Sequence, residues 1–300
     1  MNKDLVTEFS TEWIKYSEYT TKKAHFGDEY IVPKKNAKPI KYKISEVADQ
    51  MIMDYINIGK AFEFEKFKVK DMILEFVKNY GLIGIISYMP LNFKYISSEK
   101  IFLNSNNDLG MEEIWDRKEY LEYFFPFDLK EKFKFKGNDI TAIRNEETTD
   151  EEVFWGGSRE FSIPFSKYYA EKIEDIGIIA NRVYNQFIGA YTFDFETPYI
   201  ERTFKGLDFF KARNITINAK AGDTHFSLQW VFNSLASALD TILLVKICDK
   251  NQPLRICKHC GKLFIAENVR AEYDTPQCRN QANVYKSRSK SKWNLYRKMK

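Results

Sequence analysis

Apolar side chains return at helical spacing in four stretches of the chain, and glycine or proline marks most of the breaks between them. Val47, Met51, Met53, Tyr55 and Ile58 predict a helix that begins behind Ser45 as its N-cap and ends near Gly59. Met72, Leu74, Phe76, Val77 and Tyr80 predict a second helix, stopped at Gly81. From Ser162 to Asn185 the positions Ile163, Tyr168, Ile173, Ile176, Ile179 and Val183, with Phe187 beyond, predict one long or kinked helix. Leu228, Val231, Phe232, Leu235, Leu239, Ile242, Leu243 and Ile247 predict a helix from about residue 226 onward. The competing pattern there is a hairpin of Ile215, Ile217 and Ala219 with Phe226 to Trp230, turning at Gly222.

Elsewhere the pattern is shorter. It gives a helix over Leu5 to Tyr16, a turn at Gly27, a strand from Glu29 to Val32 and a loop from Lys34 to Pro39. Leu82 to Tyr88 can dock as an extended apolar run, Glu112 to Phe124 reads as helical, and Pro198 excludes a central strand over Thr192 to Ile200. Trp13, Phe26 and Tyr30 read as packing residues, and Cys248, at the end of the last apolar pattern, as a core cysteine. The expected fold is mostly α with minor β. A mainly helical body spans residues 1–248, with any internal boundary in the polar segment 137–155, and a distinct unit follows over 249–300.

Hydrophobic residues make up 44% of the 300 and aromatics 16%, enough for a substantial core. No export segment or membrane-length apolar run is evident, Leu82 to Met89 being far too short, so a cytoplasmic protein without a membrane partner is expected. The whole-chain charge of +4 conceals an asymmetry: Arg279 to Lys300 holds eight Lys or Arg and no acid, which leaves the preceding 278 residues at about −4.

The chain offers little for catalysis. Its carboxylates form no paired acid/base, two-metal or H-E-x-x-H pattern, and the run Glu146, Glu147, Asp150, Glu151, Glu152 reads as a solvated loop. His25 has no ligand cluster around it. His225, in Asp223-Thr-His225, is the one general-base candidate, without an identifiable nucleophile. A nuclease or toxin-like effector, whose residues meet only in three dimensions, remains the rival to a binding protein.

The strongest chemistry lies at the end. Cys257-x2-Cys260 followed by Gly261 is the spacing by which two thiolates in a tight turn converge on a tetrahedral ion. Leu263, Phe264 and Ile265 supply an apolar patch for a hairpin behind it. Asp274-Thr-Pro-Gln-Cys278 places two further ligands four residues apart, and Pro276 suits the first turn of a helix. The pattern reads as a treble-clef finger holding structural zinc through Cys257, Cys260, Asp274 and Cys278. His259 competes for the fourth place but lies between the knuckle cysteines, where a side chain normally points outward. A finger packed without metal is the alternative. A carboxylate in place of a thiolate weakens zinc retention, being the harder ligand.

The runs CKHCGKLF, RAEY and CRNQANVYKSR resemble the C-terminal zinc finger of the CGNR-type bacterial proteins and of related uncharacterised families ending in a CRNRANVYKSR-like sequence. The likeness covers residues 223–295. It implies a finger behind a larger N-terminal domain, and some members are described as stress-response transcription regulators. By position Cys257, Cys260 and Cys278 match three metal ligands, while Arg279, Asn280, Lys286 and Arg288 match the basic segment. Asp274 stands where the family has cysteine, and Arg279-Asn280-Gln281 where the named regulators have Gly-Asn-Arg.

Beyond Cys278, Ala282, Tyr285, Ser289, Trp293 and Tyr296 recur at three or four, which predicts a helix docked by that stripe. Arg279, Asn280, Lys286, Arg288, Lys290 and Lys292 are the candidate contacts to DNA or RNA. The expectation is a zinc-finger nucleic-acid-binding protein whose body senses a ligand, forms a homo-oligomer or binds a partner. A protein-interaction module with a structural finger is the third reading.

Overall fold

The computed structural model describes residues 9, 11–24, 27–88, 100–102, 114–127, 169–192, 215–221, 226–249, 251–268 and 270–298. Helices dominate, with small antiparallel sheets around them. The segments holding His25, the acidic run, residues 137–155, Gly222 and His225 lie outside the described residues.

In the described part of the expected helix over Leu5 to Tyr16, residues 12–16 form a strand instead. Strand β1 (Glu12–Tyr16) pairs antiparallel with β4 (Pro39–Lys43), and β2 (Tyr19–Lys23) with β3 (Glu29–Pro33). Trp13, Ile14 and Tyr16 are stiff, bulky side chains that suit a strand once a partner is available, and all three are buried. The Trp13 indole N–H donates to the Leu82 carbonyl at 3.0 Å, tying the strand to the helical layer.

Helix α1 (Ala48–Phe64) begins after a short 3-10 turn that contains Ser45, so Ser45 is not its cap. It also runs through Gly59 instead of ending there. Gly59 faces α5 (Ile173–Tyr191), and a Cβ at this position would sit 2.1 Å from the Ala180 carbonyl oxygen. The glycine therefore sets the approach of two helices. Gly59→Ala gains about 1 kcal/mol of helix propensity but forces apart a packed backbone contact, which costs about 1–3 kcal/mol. A thermal midpoint lowered by up to about 3 °C is expected; a raised one would contradict this packing.

Helix α2 (Lys66–Tyr80) stops at Gly81 as its pattern predicts. The apolar run behind it closes into a single turn, α3 (Ile85–Tyr88), fully buried. The described part of Glu112 to Phe124, residues 114–124, divides into a strand, with β5 (Lys100–Phe102) pairing β6 (Ile114–Asp116), and α4 (Arg117–Phe124). Residues 162–168 of the helix predicted from Ser162 lie outside the described residues; in the described part β7 (Glu171–Lys172) adds to β3 and α5 starts only after it.

Glu171 explains that late start. Its carboxylate accepts N–H groups from Ile83 (2.8 Å), Gly84 (2.7 Å) and Ile85 (2.8 Å), and the Tyr169 hydroxyl at 2.5 Å, with 1% of its surface exposed. Burial pushes its carboxyl above the ordinary range, against the pull of these donors. In the first turn of α5, burial, with the charge of Asp28 added, pushes Asp175 up to about 7. Further along, Arg182 pairs with buried Asp240 at 2.5 Å, and the Tyr88 hydroxyl bonds the same carboxylate at 3.0 Å.

The contest after residue 214 is won by the hairpin. Strand β8 (Ile215–Ala221) pairs with β9 (Phe226–Phe232), Ile217 opposite Trp230, and helix α6 (Leu235–Cys248) starts only at the Ser234 cap, whose hydroxyl accepts the Ser237 N–H. Phe226, Leu228, Trp230 and Phe232 alternate with Ser227, Gln229 and Val231, the period of a strand. Cys248 is exposed, not a core residue. It is the last residue of α6, whose buried side ends at Lys246, itself fully buried with its Nζ 2.8 Å from Asp49 of α1.

Candidate metal centre

The C-terminal unit grows out of the same core. Leu254 belongs to the buried cluster of the body, and Ile256, Leu263 and Ile265 pack against it. Strand β10 (Leu254–Ile256) pairs antiparallel with β11 (Leu263–Ile265), Ile256 opposite Leu263. Between them the knuckle is closed by two backbone bonds, Cys257 N–H to the Lys262 carbonyl (2.8 Å) and Gly261 N–H to the Cys257 carbonyl (2.9 Å). Gly261 has φ of +72°, and a Cβ there would meet nothing within 4 Å. Backbone conformation, not crowding, calls for the glycine.

The loop after β11 is drawn back over the knuckle. The Lys258 N–H donates to the Glu272 carbonyl at 2.9 Å, and the Lys258 ammonium reaches the Glu272 carboxylate at 2.5 Å. Two residues on, Asp274 arrives beside the cysteines. Helix α7 (Pro276–Lys298) then starts with Thr275 as cap: its hydroxyl accepts the Cys278 N–H at 3.1 Å, with Pro276 at the first helical position. Cys278 is thereby held in the first turn, facing the knuckle.

One donor atom from each of Cys257, Cys260, Asp274 and Cys278 lies within 4.8 Å of all the others. The Cys257 and Cys260 thiols donate to the two Asp274 oxygens at 3.2 and 3.5 Å. Metal–sulfur bonds of about 2.3 Å and metal–oxygen bonds of about 2.1 Å put tetrahedral ligands roughly 3.5–3.8 Å apart, so a group gathered within 4.8 Å is close to the spacing of a coordination shell. It can hold a metal ion. Cys257 is 1% exposed. Burial pushes its thiol up, but N–H groups of Cys260, Asp274 and His259 outweigh that and draw it down, the arrangement that favours a thiolate. Without an ion, hydrogen bonds from Cys278 and Cys257 hold Asp274 down at about 2, and its carboxylate pushes Cys278 up to about 12. A cation that took the thiol protons' place would meet up to four negative charges.

His259 is no part of this group. Its Nε2 hydrogen-bonds the Gln281 Oε1 at 2.8 Å and its ring stacks on Tyr285, with centroids 5.8 Å apart. Arg279, Asn280, Lys286 and Arg288 are exposed on α7, and Lys290 and Lys292 continue the same helix, their side chains outside the described residues. The expected docking stripe is only partly formed: Ala282 is buried, but Tyr285 is 63% exposed. Sequence spacing marks Gln281, with Asn280 and Asn283, as a side chain that can read base edges, but marks neither Thr275 nor Glu272; Thr-Pro at a helix start is the one local signal that points to Thr275.

No protein-family model, curated protein or solved structure matches the chain. Among the described residues no helix is long and apolar enough to cross a membrane.

Proposed function

We propose that residues 249–300 are a treble-clef zinc finger of Cys3Asp type that presents a basic helix to nucleic acid. The observation that carries this reading is one of position: the turn that supplies Cys278 to the four-donor group is also the first turn of α7. Zinc fits the donor set best among common ions, because three thiolates select a soft or borderline metal and four ligands leave no open position for catalysis. Bound there, it would hold the knuckle, the loop and the helix start together; the hairpin, the Lys258–Glu272 pair and the Thr275 cap set the orientation of the helix. From Arg279 onward the chain carries cations without a single acid, a surface suited to phosphate oxygens. The likeness to CGNR-type proteins agrees with a regulator that acts on DNA or RNA.

The test is fluorescence anisotropy of a labelled oligonucleotide at several salt concentrations, with the full chain and with Arg279→Ala plus Lys286→Ala. Affinity is expected to fall steeply with salt, and the double variant to bind more weakly and with a log–log salt slope shallower by about 1–2. Binding that is absent, or indifferent to both salt and the two substitutions, would sink the proposal.

A further inference from the structure

The Tyr285 ring presents one covered face and one open face. The covered face lies on His259 at an interplanar angle of 23° and a centroid distance of 5.8 Å. The His259 ring is itself fixed by the 2.8 Å bond between Nε2 and Gln281 Oε1. Tyr285 nevertheless remains 63% exposed. Gln281, Tyr285 and Arg288 stand at i, i+4 and i+7 and so share one face of α7, and Gln281 and Arg288 are exposed as well. Arg279 and Lys286 lie on the other side of the line through buried Ala282. The unit thus joins a pre-oriented aromatic step to cations on both flanks.

Building on the nucleic-acid reading above, we infer that the His259–Tyr285 stack is a platform for an unpaired base, so that the finger prefers single-stranded nucleic acid to duplex. A base laid on the open Tyr285 face extends the stack by one ring, while Arg288 on one flank and Arg279 and Lys286 on the other meet the phosphates before and after it. Base–aromatic stacking of this kind is tolerant of sequence, since every base has a π face. In a duplex those faces are already occupied by neighbouring bases. The same surface then offers only its cations to the backbone. Charge complementarity favours nucleic acid as the occupant: no acid follows Asp274 in the chain.

The experiment uses the full chain and one oligodeoxynucleotide, as a single strand and as its duplex, with 2-aminopurine at a central position. Single strand is expected to bind about tenfold tighter than duplex, with 2-aminopurine fluorescence quenched on binding. Tyr285→Leu is expected to lower single-strand affinity about tenfold and abolish the quenching, leaving duplex affinity and metal content unchanged; Tyr285→Phe should retain the parent behaviour. Equal or tighter duplex binding, or a Tyr285→Leu variant that matches the parent on single strand, overturns the inference. If duplex binding is still lost with Arg279→Ala plus Lys286→Ala, the broader function stands without it. No binding to either form takes down both.

Discussion

Elemental analysis is expected to find one zinc per chain in the parent, prepared without a metal-affinity tag, and none in purified Cys278→Ser. Cys278 couples two things: a ligand of the four-donor group and the capped first turn of α7. Structural zinc contributes on the order of 10 kcal/mol to folding in isolated fingers, far more than the short β10–β11 pairing can supply. Losing the ion should therefore open residues 257–278 to limited proteolysis, and a strong chelator should do the same to the parent. Asp274→Ala should weaken retention less completely, and Asp274→Cys should slow the loss to chelator, because a fourth thiolate is the softer ligand. A parent with no zinc, or a Cys278→Ser chain that keeps it, would remove the coordination model.

Glu171→Gln should produce the largest loss of stability in the body. The substitution keeps the shape of the side chain but replaces one acceptor oxygen with a donor, in a pocket where Ile83, Gly84, Ile85 and Tyr169 all donate. At least one buried N–H or O–H then lacks a partner, and the remaining bonds lose their charge assistance. Such losses cost about 3 kcal/mol, or roughly 5 °C in thermal midpoint for a chain of 300 residues. Glu174→Gln, exposed in the first turn of α5 three residues on, is the control and should melt with the parent. Equal melting of the Glu171 and Glu174 variants would mean that the carboxylate does not pin the 83–85 turn.

The expectations that held rest on local physics. The α2 stop at Gly81, the Pro276 start of α7 and the knuckle around Gly261 are each set by backbone preferences carried within a few residues. Those that failed depended on distant partners. Trp13, Ile14 and Tyr16 read equally as one turn of helix until β4, more than twenty residues away, offers a paired edge. Phe232 fits a helical series and a strand alternation alike, and its pairing with Ile215 decides between them. Gly59 looks like a helix stop because nothing local reveals that α5 lies against it.

The four metal-ligand candidates and the basic run were therefore open to inspection in the sequence, since thiolate chemistry needs particular residue types at particular spacings. The sequence alone also determined the charge division between body and tail. Tertiary structure alone decided that Asp274, thirteen residues beyond the knuckle, comes within 3.5 Å of both cysteines, because the Lys258–Glu272 contacts fold the loop back. It decided too that His259 turns away to Gln281 and Tyr285, and that Glu171 reaches a turn more than eighty residues earlier. Spacing along a chain restricts which atoms can meet; only the packed core, by fixing where each loop must return, selects which of them do.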